Sequence, residues 1–142
     1  YVMIDVEQMH DARIIPTFDS AEEARAHRRP EVLQQYMGDS VGWYEGDALV
    51  VETINVNPQQ MQQSSTAITK NGRITERFTR YSDTEIVYRF TVEDSDLYSQ
   101  AWTAELSFHT SDGHLYEYAC HEGNYSMPGT LAGARRLEAE QK

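Results

Sequence analysis

Cys120, His121 and Glu122 stand side by side in Y-E-Y-A-C-H-E-G-N-Y, residues 116 to 125, and Cys120 is the only cysteine in the chain. A thiol, an imidazole and a carboxylate are the parts of a cysteine nucleophile with its base, or of a metal site. The spacing argues against both. Successive side chains of a strand point to opposite faces, so His121 cannot serve Cys120. A metal set drawn from His10, Asp11, His121 and Glu122 lacks the spacing that makes such a motif specific. No metal or other cofactor is expected, and Cys120 reads as a small core hydrophobe. His121 and Glu117 do share a strand face, about 13 Å apart, where an acid–base pair could flank a substrate. The chain has no glycine-rich phosphate loop and no H-E-x-x-H.

A second constellation follows from strand register. R-I-T-E-R-F-T-R-Y (73–81) and T-E-I-V-Y-R-F-T-V (84–92) read as a hairpin. A two-residue loop would scatter their large apolar residues over both faces. A three-residue loop at 82–84, with a bulged turn, pairs Phe78 with Tyr88 and Ile74 with Val92, and gathers them on one face. The same phase puts Trp102, Ala104, Leu106 and Phe108 with Tyr116, Tyr118 and Cys120. The opposite face then carries Arg77, Arg89, Glu105, Ser107, Glu117 and His121, with Arg77 directly across from Arg89. Like charges so placed need an anion nearby, and Glu105 and Glu117 are the expected partners. The plainer reading is a solvated face laced with charge pairs. The functional one is the wall of a polar lumen or cleft. Glu76 and Arg80 are the odd members of the apolar phase; if buried, they are candidates for a ligand-facing pair. Trp43, Tyr44 and Trp102 read first as core aromatics and second as stacking surfaces at a barrel mouth.

The elements that must hold these residues are short strands joined by turns. Y-V-M-I-D-V-E-Q (1–8) and Arg13 to Pro16 are strand-like. Residues 20–37 predict two short helical turns broken at Pro30, with Ser20 as a start and Gly38-Asp39-Ser40 as a stop. V-G-W-Y-E (41–45) and A-L-V-V-E-T-I-N-V (48–56) flank a Gly46-Asp47 hairpin turn. Residues 57–70 are polar and Gln-rich and read as a long loop, with one helical turn as the alternative. Strands at 101–109 and 114–122 follow, and a helix at 128–141 begins at Pro128. This pattern predicts a mainly β fold over 1–142. It is an antiparallel meander curled into a lipocalin-like barrel or half-barrel, with a C-terminal helix and short helical turns near 20–37.

Composition bounds the partners. The 142 residues suit one domain, and nine Tyr, four Phe and two Trp supply core area. A net charge of −11, from 23 acidic and 12 basic residues, argues against nucleic-acid binding and against anionic lipid. No apolar run is long enough for a membrane-inserted helix. The chain opens at Tyr1 within a strand-like run, so a preceding segment is expected, and strand partners with it.

Five stretches together resemble a known family. They are H-D-A-R-I-I-P (10–16), M-G-D-S-V-G-W-Y-E-G-D-A-L-V-V-E-T (37–53), E-R-F-T-R (76–80), D-L-Y-S-Q-A-W-T-A-E (96–105) and Y-E-Y-A-C-H-E-G-N-Y (116–125). Their order and wording are similar to a large, uncharacterised family of exported bacterial proteins with the motifs G-D-S-x-G-x-W-E-G-D-T-L-V-V-E-T, E-R-F-T-R and Y-E-Y-A-C-H-E-G-N-Y. Trp43-Tyr44-Glu45 departs from that pattern by shifting an aromatic one place. The resemblance implies a periplasmic or extracellular protein of which this chain is a C-terminal portion. It implies no activity.

The leading expectation is a module that binds a small, partly apolar organic ligand, with Arg77, Arg89, Glu105, Trp43, Trp102 and Tyr118 as ligand-binding residues. One alternative is a cofactor-free lyase, isomerase or hydrolase on the same scaffold, with His121 and Glu117 catalytic. Another is a structural or interaction module completed by an N-terminal segment or by self-association.

Overall fold

Period-two patterning and tight turns produce a mainly β protein with a C-terminal helix. The computed structural model describes residues 1–6, 11–59, 66–114, 116 and 125–140. Glu117, Tyr118, Cys120, His121 and Glu122 lie outside these residues, as do His10 and the side chain of Asp11. The chain divides into two units, Tyr1–Asp5 with Ala12–His114, and Val6–Asp11 with Leu115–Lys142.

The first unit is built on a six-stranded sheet. Strands β4 (Asp39–Glu45), β5 (Ala48–Ile54), β6 (Arg73–Arg80), β7 (Glu85–Glu93) and β8 (Trp102–His109) follow one another as an antiparallel meander. A two-residue strand, β3 (Thr17–Phe18), joins β4 in parallel. The order runs from β3 to β8, and no pairing closes it into a barrel among the described residues. A separate two-stranded ribbon consists of β1 (Val2–Val6) and β2 (Asp11–Ile15). In the second unit, α2 (Ser126–Glu140) starts two residues before the expected Pro128. Its first turn is supported by the Thr130 hydroxyl, which donates to the Ser126 carbonyl at 2.8 Å.

The turns explain the registers. Glu45 faces Ala48, and Gly46, at φ 60°, takes the first central position of the two-residue loop, where a type II′ turn needs positive φ. Tyr81 closes onto Glu85, which leaves a three-residue loop at 82–84, and Phe78 faces Tyr88 while Ile74 faces Val92. The N–H groups of Tyr81 and Ser82 both donate to the Glu85 carbonyl, which is the expected bulge.

Helix α1 (Ala21–Ala26) is a single short helix. Ser20 caps it, its hydroxyl accepting from the Glu23 N–H at 3.1 Å, with Glu22 and Glu23 in the first turn. The second helical turn expected before residue 37 is replaced by turns. There the Gln34 amide donates to the Asn55 side chain and the Val56 carbonyl, and this ties the stretch to the end of β5. The expected stop at Gly38-Asp39-Ser40 is instead the start of β4. Polar residues are accommodated there because Ser40 shares a hydrogen bond with Thr53 across the ladder, and Asp39 accepts from Arg28 and from the Arg29 N–H.

The sheet has two unlike faces. On one, α1 covers Val41, Trp43 and Val50, with Ala24 fully buried against them and Phe18 and Ala21 at the margin. Glu52 belongs to this face and is buried. Arg25 and Arg28 of the helical segment reach it at 2.8 and 2.6 Å, and Arg28 also bonds the Asp39 and Glu52 carbonyls. Burial pushes the Glu52 carboxyl up. Hydrogen bonds from Arg25 and Arg28, and their charges, outweigh it, so the net shift is downward. On the other face, Val56, Ile68 and Val92 form a core with Ile74, Phe90, Tyr98 and Trp102.

Two outcomes are expected from this framework. A carboxyl with a depressed folded value contributes stability that is complete above its ordinary 4.5 and is lost as pH falls through the folded value. Urea midpoints should therefore drop on acidification below 4.5, and the Glu52→Gln chain should show a shallower drop; identical slopes would count against the network. At Gly38, φ is 80° and an added Cβ would stand 2.7 Å from the Ile54 carbonyl oxygen, whereas at Gly46 it would meet nothing. Gly46→Ala should cost roughly 1–2 kcal/mol, the left-handed penalty alone. Gly38→Ala should cost more, and equal losses in denaturant titrations would refute the packing argument.

Candidate functional site

The polar residues expected to face one another do so, but in water. Arg77 lies opposite Arg89, and Arg89 opposite Glu105. Arg89 holds Glu105 at 2.6 Å, with both side chains half exposed at 58% and 50%. Arg77 turns away to Glu45 at 2.6 Å, and does not pair with Glu105. Hydrogen bonds from the Trp43 indole and from Arg77 hold the Glu45 carboxyl below its ordinary range. This is a charge ladder on an open face, and such pairs stabilise little. Trp43 is a core residue, 4% exposed under α1, with Arg25 lying over its ring at 5.4 Å. Its burial there leaves no open face for stacking a ligand.

The apolar phase contains the more unusual group. Glu76 is 4% exposed, in the middle of a strand face that otherwise carries Ile74 and Phe78. Its companion is not Arg80, which is exposed and pairs with Asp83. It is Arg13 of β2, whose guanidinium forks onto the carboxylate, Nη1 to Oε2 at 2.7 Å and Nη2 to Oε1 at 2.9 Å. The Tyr88 hydroxyl, diagonal to Glu76 on β7, donates to Oε1 at 2.8 Å. The fork is the strong, planar form of an Arg–carboxylate pair. Burial would lower the Arg13 value, but the hydrogen bonds and charge of Glu76 raise it, so Arg13 stays cationic. Burial, then the Glu76 charge, push the Tyr88 phenol well up, so it remains a donor.

Around this triad lies an aromatic lattice. Tyr88 stacks on Phe108 at 5.1 Å and on Phe90 at 5.5 Å between centroids, and Phe78 tilts against it at 4.8 Å. Trp102 belongs here, edge-on to Phe90 and Tyr98, with its indole N–H buried and without an acceptor among the described residues. A cavity of about 200 Å³ opens on the triad, walled by Arg13, Glu76, Tyr88, Phe90, Ile74 and Val56.

A larger cleft of about 500 Å³ lies between the Arg29–Asp39 stretch and the turn at Lys70–Arg73. Most of its acids already hold the chain together. Glu93 binds Arg73, Asp39 binds Arg28, and Asp94 accepts from the Thr69 and Asp96 N–H groups. Among the described residues, no group of three or more His, Cys, Asp or Glu is arranged to hold a metal ion.

Of the residues singled out from sequence, Arg89, Glu105 and Arg77 thus form a solvated ladder, Trp43 is core, and Trp102 lies on the aromatic face. The Glu117–His121 pair and Tyr118 lie outside the described residues. Arg13 and Tyr88 are new. Glu76 was visible as a charge in an apolar phase, but nothing local pointed to a partner 63 positions earlier.

The two kinds of pair should separate in mutagenesis. Glu76→Ala leaves the largely covered Arg13 charge unpaired and should cost about 3–5 kcal/mol. Arg89→Ala should cost at most about 1 kcal/mol. Denaturation midpoints that move equally would show that the Glu76 site is no more desolvated than the ladder.

No protein-family model, no curated protein and no solved structure matches this chain.

Proposed function

We propose that this chain is an exported small-molecule binding protein, and that its aromatic sheet face receives a partly apolar organic ligand. The observation that carries the reading is the Arg13–Glu76–Tyr88 triad, built on the buried Glu76 and opening on a cavity with largely apolar walls. An apolar pocket with a few convergent polar groups is the ordinary form of a small-ligand site. Charged groups placed in an apolar core, where plain packing would serve stability equally well, are more readily explained by recognition than by stability. Within the proposal, the curl of the meander toward a lipocalin-like half-barrel supplies the concave wall. The motif resemblance in 10–16, 37–53, 76–80, 96–105 and 116–125 supports the exported compartment. Arg13 and Glu76 both fall within those motifs.

Thermal denaturation with a panel of hydrophobic acids, phenols and neutral aromatics tests this. A ligand at about a hundredfold excess over its Kd adds roughly 2.7 kcal/mol and should raise Tm by several degrees. The same rise is expected in Arg89→Ala, whose ladder lies on the other face. A panel in which no compound moves Tm would sink the proposal.

A further inference from the structure

Among the described residues, two polar groups at the aromatic-face cavity, Arg13 and Glu76, have unused hydrogen-bonding capacity. A guanidinium carries five N–H donors, and Arg13 directs two of them at Glu76. The others have no acceptor among the described residues, although the side chain is only 18% exposed and lines the cavity. On Glu76, Oε1 accepts from both Arg13 and Tyr88, but among the described residues Oε2 accepts only from Arg13. A carboxylate oxygen has two lone pairs, so Oε2 keeps one acceptor position. Donor and acceptor therefore sit side by side in a cavity lined also by Met37, Val56, Ile74, Phe90 and the Tyr88 ring, with Thr53 and Thr66 among its walls.

Charge and size narrow the ligand further. One cation and one anion already neutralise each other through the fork. A second carboxylate would lie beside Glu76 and share a single guanidinium with it, a like-charge contact in a poorly solvated site. A bare hydrocarbon would leave both the donors and the Oε2 lone pair unmet. A neutral, planar head group with adjacent C=O and N–H satisfies both and adds no charge. The cavity, about 200 Å³, is smaller than the roughly 300–1,000 Å³ of drug-sized sites, which suits a single ring.

We infer that the cavity over Arg13, Glu76 and Tyr88 selects a neutral aromatic amide or lactam over an aromatic carboxylate. This rests on the binding-module reading above and specifies its ligand class. Titration of the full chain with benzamide, benzoate and toluene at neutral pH, by calorimetry and by NMR, provides the test. Benzamide should bind about tenfold or more tighter than benzoate, tighter than toluene as well, and shift the ring signals of Tyr88 and Phe90. Arg13→Lys, which keeps the cation and loses the fork, should erase most of the preference. The wild-type comparison stands even if that variant folds poorly. Benzoate binding as tightly as benzamide, shifts confined to other residues, or no benzamide binding would each overturn the inference. If benzamide fails while an acid or phenol raises Tm, only the ligand class falls. If no compound of any class binds, the binding reading falls with it.

Discussion

A carboxylate buried in an apolar sheet face must have a counter-charge, and Glu76 takes its own from outside the meander. That requirement helps explain why β2 lies over the aromatic face at all. Arg13 projects from it onto Glu76, two residues before Ile15, which is fully buried. Gly42 makes the close approach possible. A Cβ there would stand 3.2 Å from an Ile15 methyl, and its N–H donates to the Pro16 carbonyl at 2.9 Å. Glu52, on the opposite face of the neighbouring strand, meets the same requirement with Arg25 and Arg28. The first thirty or so residues thus supply the cations for two buried acids, one on each face of the sheet.

These pairs do more for specificity than for net stability. Desolvating both partners offsets most of their attraction, so a hydrophobic pair of equal volume would hold the sheet about as well. What the pairs add is a penalty for the wrong arrangement. A one-residue slip of β6 would carry Glu76 to the helix-covered face and swing Arg77 into the aromatic lattice, leaving two charges without partners. The bulged three-residue loop already favours the observed register, and the buried charges make the alternative more costly.

Local rules made much of this visible in advance. Apolar alternation, read with the loop length, was sufficient to pair Phe78 with Tyr88 and to set Arg77 against Arg89, because a strand face has a period of two and only one register gathers the large residues. Ser20, Gly46 and the three-residue loop at 82–84 are equally local features. What stayed hidden depended on distance along the chain. β3 is too short to show a period, and its parallel pairing with β4 leaves no hairpin signal. Trp43 and Arg77 looked like neighbours of a ligand because nothing in their own strands reveals that α1 covers the first or that Glu45 takes the second. Arg13 is an ordinary basic residue in a short strand until the fold brings it to Glu76.

The contrast between the two faces also bears on where recognition can reside. Arg89–Glu105 and Arg13–Glu76 are the same chemical pair at nearly the same distance. On the open face, water competes for every donor and acceptor, so a ligand gains little by displacing it. In the aromatic slot the same groups act through a lower effective dielectric, and each unmet hydrogen bond carries a larger penalty. On the proposed binding reading, a ligand that matches them gains correspondingly, and one that adds a charge is disfavoured. The polar stripe that first drew attention is therefore the weaker place for selectivity. The single charge out of phase with its strand is the stronger one, because its burial gives its geometry energetic consequence.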